Sequence, residues 1–352
     1  MEKNESYFRY PTQTLVGRVK ANYFWMCFVK FSAPIYRVIW EYIINFPEKV
    51  LYLKSPYRAE IRPALKNNCI EMINNNPHFL QFGQWLNSRI SSDLLKKHKE
   101  QLLERKDDHA YFSTLQTDVD VETRLGLIKF AVSDEVLNMI LPYFGVVPKL
   151  NSIQLMYNIV HPALDESGSK EWHQDDGYYK SLNIFMCISD VDEKSGYYRA
   201  YGADACERHA SVPLDRIDTR LSPWKNRRHT ADNLFRFIPK KEPLKLIGPP
   251  GTAALVDNGV CYHKGGYCLE KDRIMIQFHF STESHISTPS VQEQLEIQER
   301  SELKEILNNS VKKYIMSGTE QSLRRRIAMK FKNPAYLIGR RIFCYYLRPN
   351  EI

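Results

Sequence analysis

The sequence predicts an α+β fold with a mainly β core, an antiparallel sandwich or barrel with helices at both ends. Three observations carry this. Residues 67–147 place apolar side chains at helical 3–4 spacing. After Pro148 come short apolar or alternating runs bounded by Gly, Pro, Asp and Asn, the texture of strands. After Ser290 the helical spacing returns.

The elements follow in chain order. Residues 1–66 form a basic, aromatic helical segment in which Tyr23–Phe46 reads YFWMCFVKFSAPIYRVIWEYIINF. Lys30, Pro34, Arg37 and Glu41 interrupt it, so the roughly 20 uncharged residues that span a bilayer are lacking. Two short amphipathic helices split at Pro34 fit, either packed on the core or lying in a membrane interface. The stretch 93–106 reads as a helix with a solvated face. Residues 133–145 read as a helix opened by Ser133 and stopped by Gly145. The runs 153–160, 182–191, 251–259 and 273–281 read as strands. Leu303, Ile306, Leu307, Val311, Tyr314 and Ile315 mark the helical return, within a basic tail over 291–352. The main domain is therefore 67–290, its helical part 67–147 and its β part 148–290.

Composition narrows the class. Of the 352 residues 43% are apolar, enough for a buried core. Seven cysteines, an odd number with no CxxC pair, argue for a reducing compartment. No secretory signal is evident at the start, so a cytoplasmic location is the default expectation. The net charge of +8 is uneven: +6 over 1–66, +8 over 311–352 and hence −6 between. An acidic middle makes nucleic acid a poor partner, while the basic aromatic ends suit peripheral contact with an anionic surface.

The chemistry concentrates in KEWHQDDGYY. In an extended strand His173 and Asp175, two residues apart, point to one face and converge on a single ion. A third ligand is offered by His263 in LVDNGVCYHKGG, 88 residues after Asp175 at the end of an apolar run. Two histidines and a carboxylate on one face of an octahedral ion leave three positions open, the facial triad of non-heme Fe(II) oxygenases. Ten residues on, Arg273 heads the strand RIMIQFHF, where its guanidinium can fork onto the distal carboxylate of 2-oxoglutarate. Gln154, Tyr157 and Asn183, polar residues in predicted strands, are further candidate contacts to that cosubstrate or ordinary hydrogen-bonded residues.

Over roughly 115–285 the chain resembles the phytanoyl-CoA dioxygenase-like family of Fe(II)/2-oxoglutarate oxygenases. The resemblance lies in DVDVETRLGLIKFAVSDEVLNMILPYFG, WHQD, LNIFMCISDVDEKSGYYRAYGA, GPPGTAALVDNGVCYH and DRIMIQFHF. Two departures stand out. Gly202-Ala203-Asp204 replaces the family's Gly-Ser-His, and Gly265 stands where the family often has a hydroxyl beside the cosubstrate. The resemblance implies a double-stranded β-helix (jelly-roll, cupin-like) with flanking helices. It also implies Fe(II), 2-oxoglutarate and O2, with decarboxylation to succinate coupled to hydroxylation. Relatives that halogenate lack the carboxylate ligand, so Asp175 favours hydroxylation. A non-catalytic jelly-roll binding protein, or an oxygenase performing desaturation or epimerisation, is the alternative.

The substrate is less legible. Residues 202–247 form a long insertion carrying Arg208, Arg216, Arg220, Lys225, Arg227, Arg228 and Arg236. It reads as the wall of a site for an anionic small-molecule or lipid-linked substrate (a sugar or acyl group), or as a solvated loop.

Overall fold

The computed structural model describes residues 45–105, 110–161, 170–175, 180–205, 228–229, 242–282 and 297–317. The aromatic segment up to residue 44, the tail beyond 317 and most of the basic insertion lie outside them. So does the expected membrane contact of the two ends. Among the described residues no helix is long and apolar enough to cross a membrane.

The helices come first. They are α1 (Phe46–Leu53), α2 (Pro63–Asn68), α3 (Pro77–Arg89), α4 (Ser92–Glu104), α5 (Val121–Ala131) and α6 (Asp134–Phe144), with α7 (Ile297–Ile306) and α8 (Ser310–Met316) following the strands. Their ends are written in the sequence. The Ser133 hydroxyl accepts from the Val136 N–H, and Gly145 ends α6 with a left-handed φ of 65°.

Among the described residues eleven strands form two antiparallel sheets. The larger contains β1 (Ile70–Ile73), β2 (Phe112–Thr114), β3 (Lys149–Asn158), β5 (Ser181–Cys187), β9 (Ala253–Val256) and β11 (Arg273–Ser281), in the order β1-β9-β5-β11-β3-β2. The smaller contains β4 (Trp172–His173), β6 (Tyr198–Tyr201), β7 (Arg228–His229), β8 (Leu244–Leu246) and β10 (Tyr262–Lys264), in the order β7-β4-β10-β6-β8. The four strands expected from the sequence are all present, with β5 and β9 shorter than expected. The insertion is not a plain loop: β7 pairs with β4, and β8 with β6.

Alternation along β11 divides its side chains between two environments. Phe278 faces the helices, with its ring 5.4 Å from Phe130 and 6.2 Å from Phe82, which stack on each other at 3.9 Å. Arg273, Met275 and Gln277 face the smaller sheet, the same side on which Phe185 of β5 stacks on Tyr198 of β6 at 4.3 Å. Helix α3 approaches the sheet closely enough that a Cβ at Gly83 would lie 2.2 Å from the Gly251 nitrogen, so only glycine fits there. Phe278 is fully buried. Phe278→Ala is expected to cost about 3–5 kcal/mol, read as a fall in the thermal unfolding midpoint.

Candidate active site

The smaller sheet sets two histidines side by side. β4 and β10 pair with His173 directly opposite His263, and cross-strand partners share a face. Their ring centroids are 4.2 Å apart. The Nδ1 of His173 lies 2.8 Å from the Glu171 carbonyl, and that of His263 lies 3.1 Å from the Cys261 carbonyl. A carbonyl only accepts, so each Nδ1 carries a proton and each Nε2 is the ring atom left to face the third side chain. Both Nε2 atoms face one oxygen: Asp175 Oδ1 is 3.7 Å from His173 and 3.6 Å from His263. One donor atom from each of the three side chains falls within 4.8 Å of the others, a group able to hold a metal ion.

Strand alternation alone does not deliver Asp175, because β4 ends at His173. Asn258 places it instead. The Asp175 N–H donates to the Asn258 carbonyl at 2.8 Å, and Asn258 Nδ2 donates to Asp175 Oδ2 at 3.0 Å. The carboxylate is thereby divided, with Oδ1 toward the histidines and Oδ2 held by an amide. The Tyr198 hydroxyl donates to Asn258 Oδ1 at 2.9 Å, which decides which end of the amide meets Asp175. Burial by itself would raise the Asp175 carboxyl. Positive charge on His263 and then on His173, when their rings are protonated, and the Asn258 hydrogen bond outweigh it and hold the group well below the usual carboxylate range. Asp257 anchors the same turn, accepting from the Tyr143 hydroxyl at 2.7 Å, the Ser181 hydroxyl at 3.0 Å and the Gly259 N–H at 2.9 Å.

Sequence reading missed Asn258 and Tyr198. Asn258 sits in the quoted LVDNGVCYH, but nothing in that string says which carboxylate its amide will meet. Asn258→Ala is expected to lower metal affinity roughly 10- to 100-fold. A Mn(II) titration measures this, and a thermal unfolding midpoint near the wild-type value separates it from misfolding.

Arg273 is 5% exposed on the inner face of the larger sheet. Its Nε lies 3.4 Å from Asn158 Oδ1, its register partner on β3, and its buried Nη1 has no hydrogen-bond partner. Burial lowers its pKa, the mark of a charge lacking compensation. Asn183 shares that face and accepts from Gln277 Nε2 at 2.7 Å; Gln154 shares it too and is exposed. Tyr157 stands apart. Alternation turns it to the helical side, where its hydroxyl donates to Asp272 at 2.7 Å, with Lys99 on the same carboxylate at 2.8 Å. The structure therefore brings together His173, Asp175 and His263, sets Arg273 and Asn183 on the facing sheet, and leaves Tyr157 outside.

No family model and no curated protein matches the chain. Among solved structures, it is similar to AviO1 from Streptomyces viridochromogenes Tue57 (TM-score 0.37, 14% identity, covering 66% of this chain and 98% of that one). It is also similar to the epimerase SnoN in complex with Fe3+, alpha ketoglutarate and nogalamycin RO (TM-score 0.38, 12% identity, 62% and 80%). A third is the non-heme alpha ketoglutarate dependent carbocyclase SnoK from nogalamycin biosynthesis (TM-score 0.34, 12% identity, 62% and 81%).

Proposed function

We propose that this protein is an Fe(II)/2-oxoglutarate-dependent dioxygenase, built on a double-stranded β-helix. It hydroxylates an aliphatic C–H bond of an anionic small-molecule or lipid-linked substrate. One observation supports this above the rest. Two imidazole Nε2 atoms and one carboxylate oxygen converge on a point, and a buried guanidinium with an unpartnered Nη1 sits on the facing sheet. The donor set suits a ferrous ion, since imidazole and carboxylate ligands on one face leave positions for a chelating 2-oxo acid and for O2.

In this reading His173, Asp175 and His263 hold the iron, and Arg273 takes the distal carboxylate of 2-oxoglutarate. When bound, the iron and cosubstrate supply the oxidising chemistry. The chain does the rest. The Glu171 and Cys261 carbonyls keep both rings in the tautomer that offers Nε2. Asn258 withholds Oδ2, so that the carboxylate offers one oxygen. The apolar walls around Phe185 and Met275 exclude water. Asn183 and Gln154 stand near enough in register to Gln277 to contribute to the cosubstrate pocket.

The substrate side rests on β7. Its backbone pairs Arg228 with His173 and His229 with Trp172, so this two-residue piece of the basic insertion lies against the strand that carries His173. That position suits a wall recognising a carboxylate, phosphate or acidic sugar. A lipid-linked form of such a substrate would explain the basic aromatic ends. Loss of binding to anionic liposomes on neutralising Arg324, Arg325 and Arg326 would support it, and absence of binding by the unmodified protein would remove it.

The central test is turnover. Purified protein with Fe(II) is expected to convert 2-oxoglutarate to succinate and CO2, and His173→Ala to abolish this. No turnover together with no metal-dependent 2-oxoglutarate binding would overturn the reading.

A further inference from the structure

Three residues before His173 the chain buries a lysine. Lys170 is 2% exposed, and its ammonium donates to the Gly266 carbonyl at 2.5 Å. It lies 4.2 Å from the ring centre of Tyr111 and 4.8 Å from that of Tyr267. Two glycine turns pressed together hold that carbonyl in place. The Gly266 N–H donates to the Gly196 carbonyl at 3.2 Å, and a Cβ on Gly266 would fall 2.6 Å from the Gly196 carbonyl carbon. Gly196 itself has a φ of 67°, a left-handed value suited to glycine.

The same few residues reach Arg273. The Cys268 thiol, two residues past Gly266, lies 3.2 Å from the Ser195 carbonyl and 3.6 Å from that of Asn158, whose side chain accepts from Arg273 Nε at 3.4 Å. Burial, and next the neighbouring Arg273 charge, pull the Lys170 ammonium well below its usual pKa. Among the described residues neither cation has an ion-pair partner. The carboxylate next to Arg273 in sequence, Asp272, is engaged by Lys99, by the Tyr157 hydroxyl and, at 2.8 Å, by the Val160 N–H. Two neighbouring buried positive charges without a counter-ion are costly, and an anion removes that cost. An ammonium has three donors, so two remain after Gly266 is served.

We propose that Lys170 is the second cation of this pocket, holding the distal carboxylate of the 2-oxo diacid together with Arg273. It would take the place of the hydroxyl that Gly265 cannot supply. The proposal rests on the cosubstrate reading above.

The test uses the full-length protein loaded with Mn(II). It is titrated with 2-oxoglutarate and with 2-oxobutyrate, which has the same 2-oxo acid head and no distal carboxylate. Lys170→Met keeps an unbranched chain between the two rings and removes the charge. It is expected to weaken 2-oxoglutarate binding roughly 10- to 100-fold while leaving 2-oxobutyrate and Mn(II) binding unchanged. Lys170→Gln, which retains a donor for Gly266, serves in its place if the methionine variant does not fold. Full retention of the preference for the diacid would overturn the proposal and leave the cosubstrate reading standing. Equal weakening of both acids would overturn it in favour of a purely structural lysine. Failure of the wild-type metal-loaded protein to bind either acid would overturn the cosubstrate reading and this proposal together.

Discussion

Asp175→Ala is expected to abolish 2-oxoglutarate consumption and to weaken metal binding by more than about 100-fold, beyond what loss of a supporting hydrogen bond costs. The reason is in the geometry. Among the described residues Asp175 Oδ1 is the carboxylate oxygen that both histidine Nε2 atoms face, so its removal leaves the two imidazoles without the anionic member of the set. Asn258 and, behind it, Tyr198 would then hold an empty place. Asp175→Glu is the sharper variant. It keeps the charge but displaces the oxygen by more than an ångström, and a shift of that size costs about 100-fold in turnover. It should bind metal and turn over slowly. Metal titration and succinate release measure the two effects separately. Wild-type metal affinity in the alanine variant would rule out the triad.

Arg273→Leu carries the second large effect, and it acts on function and stability with opposite signs. Loss of a forked, charge-assisted contact to the distal carboxylate should raise the KM for 2-oxoglutarate by about 100-fold or more. The ligand-free protein should be as stable as the wild type or more so. Its guanidinium is buried with Nη1 unpartnered, and replacing an uncompensated charge by a hydrocarbon removes a desolvation cost. Arg273→Lys should not restore the KM, because a point charge lacks the planar fork. Thermal unfolding with and without 2-oxoglutarate reads both signs. An unchanged KM in the leucine variant would exclude Arg273 as the anchor.

The long regular elements were legible because their signals are local. Ser133 and Gly145 mark both ends of α6 through hydrogen bonds and a backbone angle within a few residues. β11 runs over Arg273–Ser281, as the alternation in RIMIQFHFS predicts. The smaller sheet was not legible. β4, β7, β8 and β10 are two or three residues long, too short for any period to show, and they exist because partners lie beside them. The same holds for Tyr157. A polar residue in a strand has two faces to choose between, and only the pairing of β3 with β11, with the helices beyond, turned its hydroxyl to Asp272.

The three donor residues were readable in the sequence by type and spacing, as was an arginine at a strand head. Their convergence was decided by tertiary structure. His173 meets His263 through cross-strand pairing across a gap in sequence, and Asp175 is aimed by an amide from a turn between β9 and β10. Sequence spacing reports which side chains can share a face of one strand. It carries no information about which charges end up buried, and that is why Lys170, buried beside the Gly266 carbonyl, and Arg273, buried beside Asn158, drew notice only in the fold.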